Sequence, residues 1–306
     1  MRVFLTGATG YVGGAVLDAL VRGGHSVTAL VRDGEKAKRV AAKGARPVVG
    51  NLAEPESYRA AADAQDGYVH TAYDRASGRG PAIDRIGIDT MLAAARRPRT
   101  AGATKPRARF LIYTSGTWVL GPSSDPVAED APVNPLAIVA WRPAHEDLVM
   151  AAASPTLRTV IVRPGVVYGG ANGMVADLLR SASNGLVRVV GDGNNHWPLV
   201  YERDLADLYS RLVANEDATG VYHANDEGDE SVNDIVGAIK PHVAVRPDVR
   251  YVPLEEARAK MGPVADALSL DQIARSPRSR ALGWTPTLRS VGGNAARLLE
   301  EWRNAS

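Results

Sequence analysis

The sequence predicts an α/β protein built on a doubly wound parallel sheet. Three observations carry that prediction. Short apolar runs recur along the first half of the chain, helix-compatible segments separate them, and the first run opens into a turn with glycine at every third position. Strands that alternate with helices form a parallel sheet covered on both faces.

Val3-Phe4-Leu5 reads as a buried strand, and Thr6-Gly7-Ala8-Thr9-Gly10-Tyr11-Val12-Gly13 follows it. Ala15-Val16-Leu17 and Leu20-Val21 continue at helical spacing. A glycine-rich turn between strand and helix aims backbone N–H groups at whatever sits there, and the helix dipole favours an anion. Gly7 suits a tight turn, Gly10 lets the backbone approach a pyrophosphate, and Gly13 lets the helix pack on the strand. The turn therefore predicts a dinucleotide site formed by Gly7, Thr9, Gly10, Tyr11, Val12 and Gly13. A glycine triplet alone is a weak signal; a strand before it and a helix and second strand after it make it specific.

Ser26 to Val31 is that second strand. An acid just past it would bond a ribose 2′-hydroxyl, whereas an arginine accommodates a 2′-phosphate. The chain has Arg32 there, which favours NADP(H) over NAD(H); a solvated surface arginine is the bland alternative. Pro47 to Gly50 is a third strand, followed by Asn51-Leu52, and Tyr68 to Ala72 is a fourth. Ligands of such sheets bind beyond the carboxyl ends of the strands, which places Arg32, Asn51, Leu52, His70 and Ala72 with the glycine turn along one edge. His70 also reads as a hydrogen-bonded structural residue closing a buried strand. Asp74 to Pro81 is expected as a mobile loop, Ile83 to Ala95 as a helix, and the basic run Arg96 to Arg109 as a solvated loop. Phe110 to Tyr113 is a fifth strand.

Composition narrows the class. The chain has 306 residues, 45% hydrophobic and 23% charged, with a net charge of +2 and no cysteine. Near-neutral charge gives no reason for a nucleic-acid or membrane partner. Thiol nucleophiles and cysteine-bound metals are excluded, and no metal site is expected. No signal peptide and no apolar run of about 18 residues is read, so a cytoplasmic protein with a small-molecule substrate is expected, with a homodimer as an open assembly.

With the fifth strand and its sequel Thr114-Ser115-Gly116-Thr117, the chain resembles an extended short-chain dehydrogenase/reductase, the group of NAD(P)-dependent epimerases and dehydratases. The resemblance rests on the glycine turn, Tyr113-Thr114-Ser115, Val119-Leu120-Gly121, and Arg163-Pro164-Gly165-Val166-Val167-Tyr168-Gly169. Further on it rests on Gly191-Asp192-Gly193, Asp204-Leu205-Ala206 and Leu282-Gly283-Trp284-Thr285-Pro286. It implies a Rossmann-type sheet with a smaller C-terminal substrate-binding subdomain. Residues 1–170 and 197–225 would form the dinucleotide-binding domain, and 171–196 and 226–306 the subdomain. It also implies Pro164 beside the cofactor.

The resemblance further implies a serine after the fifth strand and Tyr-x-x-x-Lys on the next helix. The tyrosine exchanges a proton with a carbonyl oxygen, the lysine lowers its pKa, and the serine orients the carbonyl. This chain departs at each position. The serine position falls on Gly116, between Ser115 and Thr117; the tyrosine position falls on Trp141 and the lysine position on His145. Pro143 fits if a helix begins about here, and Trp141 and His145 would then share one face. An indole N–H is no useful acid. His145 can serve as acid or base, or as a ribose ligand or surface residue; Arg142 could polarise an oxygen or simply pair with Glu146.

These readings lead to an expected NADP(H)-dependent oxidoreductase or epimerase acting on a small polar or secondary-metabolite substrate. His145, Arg142, Ser115, Thr117 and Trp141 are its candidate catalytic residues. A non-redox isomerase, cyclase or lyase on the same fold, and an NADP-binding sensor, are the alternatives.

Overall fold

The computed structural model describes residues 1–97 and 108–305. In chain order it runs through β1 (Arg2–Thr6), α1 (Tyr11–Arg22), β2 (Ser26–Val31), α2 (Gly34–Ala42), β3 (Arg46–Val49), α3 (Arg59–Asp63), β4 (Gly67–His70), α4 (Gly80–Arg96) and β5 (Arg109–Thr114). There follow β6 (Ser123–Val127), α5 (Arg142–Ala151), β7 (Leu157–Pro164), β8 (Val166–Tyr168), α6 (Met174–Ser183), β9 (Leu186–Val190), β10 (Leu199–Tyr201), α7 (Glu202–Ala214) and β11 (Gly220–Ala224). The chain ends with α8 (Val232–Ile239), β12 (Asp248–Val252), α9 (Leu254–Met261), α10 (Val264–Leu268), β13 (Gln272–Ala274), α11 (Pro277–Ala281) and α12 (Ala295–Ala305).

Seven strands make one sheet in the order β11-β7-β5-β4-β1-β2-β3. The pairs from β3 through β7 are parallel. This is the predicted doubly wound Rossmann-type sheet. Its strand order reverses between β1 and β4, whose registered ends are Thr6 and His70. A crevice for a ligand opens at such a reversal, beyond the carboxyl ends.

Two compact units divide the chain: Met1–Ser115, Trp141–Val162 and Leu205–Tyr222 in the first, and Gly116–Ala140, Arg163–Asp204 and His223–Ser306 in the second. In the first, the strands are near-continuous apolar runs because helices cover both faces. Phe4, Tyr58, Tyr68, Met91, Leu111 and Tyr113 form one core cluster, all almost wholly buried. Burying one such side chain stabilises by roughly 1.5–3 kcal/mol. Arg109 corrects an expectation: it opens β5 and is buried, with Nη1 donating to the carbonyls of Ala94 and Ala95 at 3.3 and 3.0 Å. Arg99, Lys105 and Arg107 of the same basic run lie outside the described residues. The helix expected over Ile83–Ala95 extends from Gly80 to Arg96, so the loop before it is shorter than expected.

The second unit holds three two-stranded sheets, β8–β10, β9–β12 and β6–β13. Its core gathers Tyr168, Trp197, Tyr201, Ile235 and Leu298. The Arg163–Tyr168 segment is divided between β7 and β8. A Cβ at Gly165 would lie 2.1 Å from the carbonyl oxygen of Pro198, and there β7 gives way to β8. Trp284 is fully buried, with Nε1 donating to the Asp204 carbonyl at 2.7 Å. The Asp204 carboxylate accepts from Thr287 N and Oγ1, both at 2.8 Å, and from Leu288 N at 3.1 Å.

Candidate active site: a glycine cradle and a buried histidine–aspartate cluster

The turn after β1 is packed as tightly as glycine allows. Gly7 has φ 78°, and a Cβ there would stand 2.6 Å from Thr71 Oγ1 and 2.7 Å from Ala72 N. A Cβ at Gly13 would stand 2.1 Å from the carbonyl oxygen of Gly7. Gly10 is different. A Cβ there would meet only the Gly7 oxygen, at 3.2 Å, and the residue is exposed. Gly10 is the N-cap of α1 and offers no side-chain cap; the first turn carries no acid. The N–H groups of Val12 and Gly13 have no acceptor among the described residues, as expected for the start of a helix. Two glycines thus serve internal packing, while the third leaves a bare surface at the positive end of a twelve-residue helix. That cradle fits the pyrophosphate of a dinucleotide. Thr9 and Tyr11 flank Gly10 on the same turn.

Arg32 follows β2 and is exposed, with no hydrogen bond or ion pair to a described residue. Asp33, the nearest acid, is already used: it caps α2 by accepting from Lys36 N at 2.8 Å and pairs with the Lys36 ammonium. Asn51 forms a local turn, accepting from Ala53 N at 3.1 Å and donating to Glu54 at 2.9 Å. Leu52 packs on the core cluster. Ala72 is half-buried and donates its N–H to Thr6 Oγ1 at 3.4 Å.

His70 is packed as a residue closing a buried strand. Its ring is enclosed, with Nδ1 2.6 Å from Thr6 Oγ1 and Nε2 3.2 Å from Asp84 Oδ1. The second contact has a hydrogen-bond distance without a hydrogen-bond angle, so it is mainly electrostatic. Only the main chain of His70 remains for the cofactor edge.

Asp84, on α4, is a site residue that no sequence pattern singles out. It is 2% exposed and gathers donors from three elements. His145 Nδ1 on α5 lies 2.7 Å from Oδ2, the Tyr113 hydroxyl on β5 donates to Oδ2 at 2.9 Å, and His70 on β4 faces Oδ1. Taking a carboxylate out of water costs several kcal/mol unless it is paired. Burial opposes its ionisation, but the hydrogen bond from His145, the close approach of His70 and the charge of Arg142 hold Asp84 well below the usual carboxylate range. Burial, and next the Asp84 charge, push the Tyr113 phenol far above its ordinary value. Tyr113 is therefore a neutral donor and no acid.

Helix α5 begins at Arg142 with Pro143 in its first turn, as Pro143 requires. Trp141 and His145 meet one turn apart, ring centres 5.0 Å apart and edge-on. Trp141 stacks on Tyr73 at 5.3 Å. The Arg142 guanidinium lies 4.5 Å from the Trp141 ring centre and donates to the Thr114 carbonyl at 2.8 Å. It is a fixed cation, not a surface ion pair. His145 Nε2 has no hydrogen-bond partner among the described residues and, unlike His70 Nε2, is not sealed. Ser115, at the end of β5, is 6% exposed, and its Oγ has no partner among the described residues.

In the second unit, Thr117 Oγ1 is likewise buried without such a partner, while the Thr117 carbonyl accepts from Gln272 Nε2 at 2.9 Å. Pro164 ends β7 and is buried. A shallow cavity lined by Gly191, Asp192, Tyr251 and Pro253 belongs to this unit and shares no residue with the His145 cluster.

A reversal of strand order, a glycine cradle and a helix start beside it define a dinucleotide-binding α/β protein. The chain belongs to the NAD dependent epimerase/dehydratase family, whose model matches residues 3–224. It is 31% identical to an uncharacterized protein of Schizosaccharomyces pombe over 94% of this chain and 95% of that one. It is 28% identical to the 4-hydroxy-2-methyl-3-oxo-4-farnesyl-3,4-dihydroquinoline-1-oxide ketoreductase of Stigmatella aurantiaca, over 85% of this chain and 78% of the relative. Its fold is that of the Thermus thermophilus UDP-glucose 4-epimerase solved with NAD, with a TM-score of 0.80 at 20% identity and all of both chains covered. No helix among the described residues is long and apolar enough to cross a membrane.

Proposed function

We propose that this protein is an NADP(H)-dependent oxidoreductase that interconverts a carbonyl and a hydroxyl on a small polar or secondary-metabolite molecule. In this reading His145 takes the place of the family's tyrosine. The carrying observation is His145 itself: Nδ1 is engaged on a buried carboxylate, and Nε2 has no hydrogen-bond partner among the described residues. The ketoreductase among the relatives supports the reaction class.

When bound, the reduced nicotinamide supplies a hydride to the carbonyl carbon. The turn of Gly7, Thr9, Gly10, Tyr11, Val12 and Gly13 would hold the pyrophosphate, and Arg32 would meet the 2′-phosphate. Asn51, Leu52, Ala72 and the main chain of His70 line the nucleoside edge. The Ser115 hydroxyl, unpartnered and enclosed in this structure, would orient the substrate oxygen once substrate and cofactor are in place. Protonated His145 gives its Nε2 proton to that oxygen, which leaves a neutral ring with its other proton on Nδ1. In the reverse direction the same nitrogen takes the alcohol proton. Arg142, clamped on Thr114 and the Trp141 ring, supplies a fixed positive charge beside the developing oxyanion. Residues 171–196 and 226–306 form the substrate-binding part.

A single-turnover experiment tests this. The protein loaded with NADPH is mixed with a panel of β-keto esters, cyclic diketones and aryl ketones, and nicotinamide absorbance is followed beside product. Oxidation that tracks alcohol formation is expected. A product formed while the cofactor stays reduced would move the protein to non-redox chemistry. Firm NADPH binding with no product from any compound would favour a sensor.

A further inference from the structure

Asp84 has no counterpart in the serine–tyrosine–lysine scheme, yet it sits against the residue proposed to exchange the proton. It lies just past the first turn of α4, and three other elements face it. β4 brings His70, β5 brings Tyr113, and α5 brings His145, Arg142 and Glu146. The Tyr113 hydroxyl and His145 Nδ1 share Oδ2, at 2.9 and 2.7 Å, and His70 Nε2 takes Oδ1 at 3.2 Å. His70 is anchored in turn by Thr6 Oγ1 at 2.6 Å. An ionised carboxylate can only accept hydrogen bonds. At 2.7 Å, Nδ1 of His145 must therefore carry its hydrogen, and in the neutral ring the lone pair is left on Nε2.

We propose that Asp84 is a positioning residue that locks His145 as its Nδ1–H tautomer, making Nε2 the proton-exchanging atom, with His70 and Tyr113 holding the carboxylate still. The role rests on the proposed function, but the tautomer does not. A carboxylate orients the catalytic histidine of serine hydrolases in the same way, and there the wrong tautomer costs about 10⁴-fold in turnover. A free histidine favours the opposite tautomer, with hydrogen on Nε2, so the ring environment has to impose this one.

The test is a nitrogen-15 NMR spectrum of the histidine-labelled whole protein at about pH 8, where an ordinary histidine is neutral. The His145 signals among the six histidines are assigned by their loss in His145→Gln. Hydrogen on Nδ1 and a bare Nε2 are expected. Hydrogen on Nε2 in the unaltered protein overturns the proposal, whatever its enzymology. Asp84→Leu should move the hydrogen to Nε2; a folded variant that keeps it on Nδ1 also overturns the proposal. Tyr113→Phe keeps the acceptor and should leave the tautomer unchanged. If Asp84→Leu does not fold, the unaltered protein and Tyr113→Phe decide. The predicted tautomer together with undiminished NADPH oxidation by His145→Gln would sink the function reading and leave the positioning of the ring intact.

Discussion

Gly13 stands against Gly7 so closely that a single added methyl would lie 2.1 Å from the Gly7 carbonyl oxygen. Real carbon–oxygen contacts are far longer, so Gly13→Ala must push α1 off the turn. We expect it to destabilise by at least about 1–3 kcal/mol, the range for overpacking, and to abolish NADPH binding. Gly14→Ala is the control, because its Cβ would rest 3.6 Å from the nearest atom, Ala8 O. Thermal melts with and without NADPH compare the two; equal behaviour would refute this account of the cradle.

Cofactor choice is assigned to Arg32. A charge-assisted contact to a 2′-phosphate is worth roughly 1.5–3 kcal/mol, about ten- to a hundredfold in affinity. Fluorescence titration should show tighter binding of NADPH than of NADH, and Arg32→Ala should remove most of the difference while sparing NADH. Equal affinities in the unaltered protein would refute the assignment.

Local signals make much of the fold legible in the amino-acid sequence. Ser26–Val31 is a strand with the bounds read from its apolar run, and the glycine spacing locates the turn. Asp84 is not legible in this way, because one aspartate within an amphipathic helix looks like part of its solvated face. Its burial depends on a histidine 14 residues earlier and another 61 residues later, and neither is marked by spacing. The small sheet β6–β13 is hidden for a related reason. Ser123–Val127 is polar, and its partner Gln272–Ala274 lies far along the chain. The division of Arg163–Tyr168 is set by a contact between Gly165 and Pro198 that no local pattern announces.

The proton-transfer role of His145 predicts opposite pH limbs. Reduction needs its protonated form and should fall as pH rises; alcohol oxidation needs the neutral form and should rise. His145→Ala should remove both limbs and slow turnover by roughly 10²–10⁴-fold. A limb that survives in His145→Ala belongs to another group.

Two buried groups of the second unit should oppose each other in acid. Burial pushes the Asp226 carboxyl up to about 7, and burial, then Arg163, pull His223 down to about 4. Between about pH 4 and 7 folded Asp226 keeps a proton that the unfolded chain releases, so this group withdraws stability as pH rises. Folded His223 refuses a proton that the unfolded chain takes below about 6.5, so it withdraws stability as pH falls toward 4. At about 1.4 kcal/mol per pKa unit each effect amounts to a few kcal/mol. The stability of Asp226→Asn relative to the unaltered protein should rise from pH 4 to 7, and that of His223→Asn should fall. Denaturant midpoints at both pH values measure this, and flat differences would count against the burial account.

The division of the seven-stranded sheet along the chain has a consequence for synthesis. Six of its strands are complete by Pro164, but the seventh, β11, arrives only with Gly220–Ala224, after residues that build the second unit. A chain emerging from the ribosome therefore spends some 55 residues of elongation with β7 as an open border. That border carries Thr159-Val160-Ile161-Val162, wholly buried in the finished protein, and a bare apolar strand edge is a template for pairing with other chains. Fragments ending between residues 165 and 219 should aggregate rather than persist as a free nucleotide-binding half. The two units have a common birth: neither can be released from translation as a finished body before the other is well under way.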